Sequence, residues 1–137
     1  MRFVMMLRAT TESPPGVPSQ RILSELGRYS QDLVKAGVLL ASEGLYPGSE
    51  CVRIRFSGGK RIVIDGPPKG ASQLVAAFWL VQVRSRDEVL EWARRCPTPV
   101  PGDSEIEVRR CVDPDDADDV LAREVRRREK RRSDGRA

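Results

Sequence analysis

Lys60 to Pro68 reads K-R-I-V-I-D-G-P-P and sets a carboxylate, Asp65, on a stiff turn. Ile62, Val63 and Ile64 are three consecutive β-branched residues and form a short strand core that ends at Asp65. Gly66 can take a positive φ, while Pro67 and Pro68 lack N–H donors and forbid a central strand or a helix interior. Held in this way, Asp65 could serve as general acid or base if it were partly buried beside a partner. It could equally serve its own turn by accepting backbone N–H bonds, as Asp before Gly commonly does. Glu43, before Gly44, is a second carboxylate at a strand end and the candidate partner. Arg8, Arg61 and Lys69 are the cations available to position an anionic ligand near them.

The chain has no histidine, which removes every triad, zinc site or proton relay that needs an imidazole from this chain. Cys51, Cys96 and Cys111 include no CxxC pair, so their spacing implies neither a metal nor a thioredoxin-type centre. An odd number of thiols in a chain of this size points to a reducing compartment, and the expected location is cytoplasmic. Gly58-Gly59-Lys60 lacks the glycine spacing and the following Ser or Thr of a phosphate loop. No cofactor is expected. The net charge of +4 favours anionic neighbours only weakly, because it averages over the whole chain. No apolar run approaches the ~20 residues needed to cross a bilayer, so no membrane contact is expected.

The elements that must position these residues can be read in order. Phe3 to Leu7 reads as a first strand, and Ala9 to Pro18, with three prolines, as a loop. Ser19 to Ala36 reads as a helix, with Ser19 as N-cap, Ile22, Leu23, Leu26, Tyr29, Leu33 and Val34 on one face, and Gly37 as its stop. Tyr29 is expected to pack at the exposed end of that face. Val38 to Ala41 is a second strand closed by Glu43-Gly44. Cys51 to Phe56 alternates, with Val52, Ile54 and Phe56 on the side that a half-exposed strand would turn inward. Ser57 to Lys60 closes it into a hairpin that presents Arg53 and Arg55 to solvent.

Leu74 to Val83 is the most apolar segment, a central strand whose beginning, Ala71 to Val75, reads as a helical turn or loop. Ser85 with Asp87-Glu88 marks the start of a second helix, which Pro97 stops. Trp79 and Trp92 are expected in the core or an interface. Ser104 to Arg110 is an exposed last strand. Residues 1–112 thus form one domain, and residues 113–137 a charged tail, partly helical or disordered, acidic at Asp113–Asp119 and basic at Arg123–Arg132.

The order β-α-β-β-β-β-α-β is a βαββαβ pattern with the hairpin Cys51–Ile64 inserted, which predicts an α+β ferredoxin-like sandwich. Two helices cover one side of such a sheet. The apolarity of Phe3–Leu7 and Phe78–Val83 predicts that the other side is covered too, most economically by a second copy in a homodimer. The basic tail offers at most non-specific attachment to nucleic acid, since no aromatic side chain is interleaved with its cations.

Several segments in series resemble the YCII-related proteins, and among them the branch with an Asp-Gly-Pro-Phe signature. They are Gly37-Val38-Leu39, Glu43-Gly44-Leu45, Asp65-Gly66-Pro67, Phe78-Trp79-Leu80, Asp87-Glu88, Glu91-Trp92-Ala93, Cys96-Pro97 and Ile106-Glu107-Val108-Arg109, spanning about Met1 to Val112. The resemblance implies a ferredoxin-like fold paired into a dimeric α/β barrel and a small-molecule role of undefined chemistry. It also implies, through relatives encoded beside or fused to sigma factors, a regulatory association. Its relatives' His-Asp active pair survives here only as Asp65. Pro68 replaces the signature's aromatic, and Lys69-Gly70-Ala71-Ser72-Gln73 stands where relatives carry Ala-Glu-x-Lys-Glu. Two readings stand. The chain binds or transforms a small anionic metabolite beside Asp65, with Arg61, Lys69, Glu43 and Arg8 around it. Alternatively it is a non-enzymatic interaction or regulatory module linked to transcription, its basic tail contacting protein or nucleic acid.

Overall fold

The computed structural model describes residues 1–10, 20–46, 50–68, 73–97 and 104–135. Strand β1 (Arg2–Thr10) is followed by helix α1 (Gln20–Lys35), strands β2 (Leu39–Gly44), β3 (Val52–Ser57), β4 (Lys60–Asp65) and β5 (Gln73–Gln82), helix α2 (Arg86–Arg94), strand β6 (Glu105–Arg110) and helix α3 (Ala117–Asp134). The expected element order is present. Four strands form an antiparallel sheet in the order β2-β5-β1-β6, and β3 and β4 form a separate two-stranded hairpin. With the hairpin set aside, this α+β arrangement is compatible with a ferredoxin-like fold.

The alternation of β1 decides which face is the core. Phe3, Met5 and Leu7 point to one side with Ala77, Trp79 and Val81 of β5, and Tyr29 and Leu33 of α1 and Val89 and Ala93 of α2 pack onto them. Val4 and Met6 point to the other side, directly opposite Leu80 and Phe78 on β5. All four are half-buried there, with Glu43 of β2 beside Phe78, Glu107 of β6 beside Met6 and Arg109 beside Val4. Both α1 and α2 lie on the first face, so among the described residues the second is left open. Trp79 is in the core, as its place in a central strand predicted. Its indole Nε1 donates to Ser30 Oγ at 2.9 Å, and its ring meets that of Tyr29 edge to face at 5.3 Å.

Several local expectations change. Tyr29 is 5% exposed and belongs to the core itself, because its hydroxyl donates to the Trp92 carbonyl at 2.6 Å and so can be buried without an unpaired polar atom. The segment from Gln73 is strand, since its backbone pairs with Thr10 at the far end of a longer β1. Glu43 and Gly44 lie within β2, paired to Phe78 and Ala77. The proposed N-cap Ser19 lies outside the described residues. Helix α2 starts as read, with Ser85 Oγ accepting from the Glu88 N–H at 3.2 Å.

The hairpin departs most from expectation. Its turn is the two-residue type that matches strand twist, with Gly58 and Gly59 both at positive φ. Yet Val52, Ile54 and Phe56, the side expected to face inward, are 55–68% exposed. The alternation is present, but among the described residues no element covers the apolar side. Arg53, expected in solvent, is half-buried at the hairpin's base. In the tail, a short 3-10 turn at Pro114–Asp116 leads into α3, where Val120, Leu121 and Val125 are exposed. Asp113 is tied to Arg2 at 2.8 Å, and that hydrogen bond holds its carboxyl below the usual range.

Candidate functional site

Asp65 ends β4 and pairs across the hairpin with Val52. The chain turns immediately after it because Gly66 takes φ 91, a conformation other residues adopt only with strain. The Gly66 N–H donates to the Cys51 carbonyl at 2.7 Å, closing the base of the hairpin. The Gly66 carbonyl accepts from Arg53 Nε at 2.8 Å. Arg53 is therefore the cation that the fold brings to this turn. Sequence reasoning assigned it to solvent by alternation alone, and nothing in the pattern could show its guanidinium folding back thirteen residues along the chain.

Asp65 is exposed, and among the described residues no side chain hydrogen-bonds or pairs with it. Its proposed companions are spread out. Arg61 lies four residues away on the same face of β4, about 13 Å along the strand, with its guanidinium 4.8 Å from the centre of the Phe56 ring. Arg8 projects from the open face of the sheet and is held by Glu107, with Nη2 at 2.7 Å and Nε at 3.1 Å from the same carboxylate oxygen. Glu43 is exposed at the β2 edge of that open face. Lys69 lies outside the described residues. Among the described residues of one chain, then, no contact joins Asp65 to Arg61, Arg8 or Glu43.

A concavity not anticipated from sequence lies on the helical face of the sheet. Between α1 and the end of α2, a shallow groove of about 440 Å³ is lined by Glu25, Arg28, Asp32, Lys35, Trp92 and Arg95, with Tyr29 at its floor. Arg95 lies over the Trp92 ring at 5.0 Å. The only nearby thiol is Cys96, and burial pushes its pKa from 9.0 to about 11. Such a thiol stays protonated at neutral pH, so it is no nucleophile. Tyr29 is shifted upward by the same cause. The groove has charge and an aromatic wall but no activated group. Its sequence signal was the spacing of Glu25, Arg28, Asp32 and Lys35 along one helix edge, a pattern that a solvated face also produces. Among the described residues no cluster of three or more Cys, Asp or Glu could hold a metal ion, and no helix is long and apolar enough to cross a membrane.

Residues 1–112 match the YCII-related domain, from the first strand to just beyond β6. The chain belongs to the YCII-related family. It is also 31% identical over 90 residues to an uncharacterised protein, R00369, of Rhizobium meliloti (strain 1021), an alignment covering 66% of this chain and 73% of that protein. The matched region includes the open sheet face, the hairpin and Asp65, while α3 lies beyond it.

Proposed function

We propose that this YCII-related chain, of the Asp-Gly-Pro branch, works as a cytoplasmic homodimer. Its role is to bind a small anionic metabolite in a cleft beside Asp65 that two chains enclose together. The observation that carries this reading is the open sheet face, where Val4, Met6, Phe78 and Leu80 form a contiguous apolar centre with charged residues at both edges. Such a face is what a second sheet covers in a dimeric α/β barrel, and it is rimmed for water only at its edges. The exposure of Asp65 in one chain is consistent with a cleft that needs the second chain as a wall. Arg61, Lys69, Arg8 and Glu43 then contribute to its rim, and Asp65 is the acid or base wherever the bound molecule reacts. The three free cysteines support the cytoplasmic location. Thermal-shift screening with small carboxylates and phosphates, repeated with Asp65→Asn, tests the ligand. Stabilisation by an anion that the variant loses is the expected result. Equal stabilisation of both proteins would contradict it.

One observation favours a second reading, a regulatory module linked to transcription. Helix α3 is exposed along nearly its whole length, and among the described residues only Arg128 of its seven basic residues is paired, to Glu124 at 3.4 Å. A sequence-independent contact of this helix with an acidic protein surface or nucleic acid would weaken steeply with salt. Fluorescence anisotropy with labelled duplex DNA at two salt concentrations, with and without α3, tests it. Binding that survives removal of α3 would contradict it.

A further inference from the structure

The hairpin combines three features that a solvent-exposed arm would not need. Val52, Ile54 and Phe56 of β3 share one face, with Val63 of β4 directly opposite Ile54, while Ile62 and Ile64 lie on the other face beside Arg55 and Arg53. Val52, Ile54, Phe56 and Val63 are 55–68% exposed. An isolated two-stranded hairpin is marginal in water, so this one needs a surface to lie against. The same face is also bracketed by opposite charges, Arg61 beside Phe56 near the turn and Asp65 beside Val52 at the base.

We propose that this face docks against the same face of a second copy, so that Asp65 of each chain meets the partner's Arg61. The inference rests on the homodimer reading and deepens it. A twofold axis that lies in the contact and runs perpendicular to the strands sets two identical hairpin faces antiparallel, which superposes the apolar centres and brings the basic end of each over the acidic end of the other. An open sheet face of four strands, six residues deep, has a footprint of about 19 by 20 Å, under half of the about 800 Å² that a stable homodimer buries on each partner, so a dimer closed through the sheet needs further contact area, to which the hairpin face contributes. The two candidate site residues that lie about 13 Å apart within one chain become neighbours across the dimer. The site at Asp65 is therefore composite and incomplete in a single chain.

Reciprocal charge exchange in the full-length chain tests this. Sedimentation equilibrium is run on the native protein, on Arg61→Asp, on Asp65→Arg, on an equimolar mixture of those two variants, and on Phe78→Glu as a probe of the sheet face. Each hairpin variant alone is expected to weaken the dimer at least tenfold, because like charges then face each other. The mixture is expected to restore a mixed dimer. Circular dichroism checks that each variant keeps its secondary structure, as expected for substitutions at exposed positions. If both hairpin variants dimerise as the native protein does while Phe78→Glu does not, the hairpin contact is overturned and the sheet-face dimer survives. If the native protein is itself a monomer, both are overturned.

Discussion

Buried polar atoms define the residue-scale chemistry of this chain. Trp79 Nε1 reaches Ser30 Oγ, and the Ser30 hydroxyl in turn donates to the Leu26 carbonyl at 3.1 Å. Ser30→Ala leaves the indole N–H unpaired beneath α1, and a loss of about 1–3 kcal/mol is expected in urea unfolding. Tyr29→Phe costs less, about 1 kcal/mol, because the Trp92 carbonyl keeps its bond from the Arg95 N–H at 3.1 Å. Cys96 sets a pH dependence. Its folded pKa is raised, so its contribution to stability is complete below pH 9.0 and is lost as pH rises toward about 11. Urea midpoints measured from pH 8 to 11 are expected to fall less steeply in Cys96→Ala than in the native chain. At this scale the sequence located both tryptophans, because apolar spacing sorts large side chains. It misplaced Tyr29, because only the reach of its hydroxyl to Trp92 shows that the ring can be buried. It misplaced Arg53 for a similar reason, since alternation assigns a side chain to a face and not to a carbonyl beyond the strand's end.

At the element scale the periodic segments were legible and the boundaries less so. Helix α1 announced itself through Leu26, Tyr29 and Leu33, and α2 through Ser85 and its acidic first turn. Strand β5 begins earlier than its polar start implied, because pairing with the far end of β1 outweighs the weak local preference of Gln73. Helix α3 stands apart from the core, with its apolar residues exposed. Truncation before Ala117 is expected to shift the melting temperature by less than about 2 °C, since no buried contact is removed. A fall of about 8 °C or more in differential scanning calorimetry would make α3 part of the fold. The hairpin's alternation was read correctly as a pattern, but a pattern says only that one face seeks cover. That Val52, Ile54 and Phe56 stay exposed required coordinates.

At the scale of the molecule, the described residues form a four-stranded sheet with two helices on one face and a separate two-stranded hairpin. The ferredoxin-like class was legible in the element order, while the sheet order β2-β5-β1-β6 comes from the structure. The open face was foreshadowed by continuous apolarity in Phe3–Leu7 and Phe78–Val83, since a strand covered on one side only would alternate. What the sequence could not convey was the scatter of Asp65, Arg61, Glu43 and Arg8 over two separate surfaces of one chain. That scatter is the argument for a site made by two chains. The central claim is therefore dimerisation through the open face, and sedimentation equilibrium at micromolar protein measures it directly. The account predicts twice the 15.3 kDa chain mass for the native protein and the single-chain mass for Phe78→Glu. A native protein sedimenting as a single chain would contradict it.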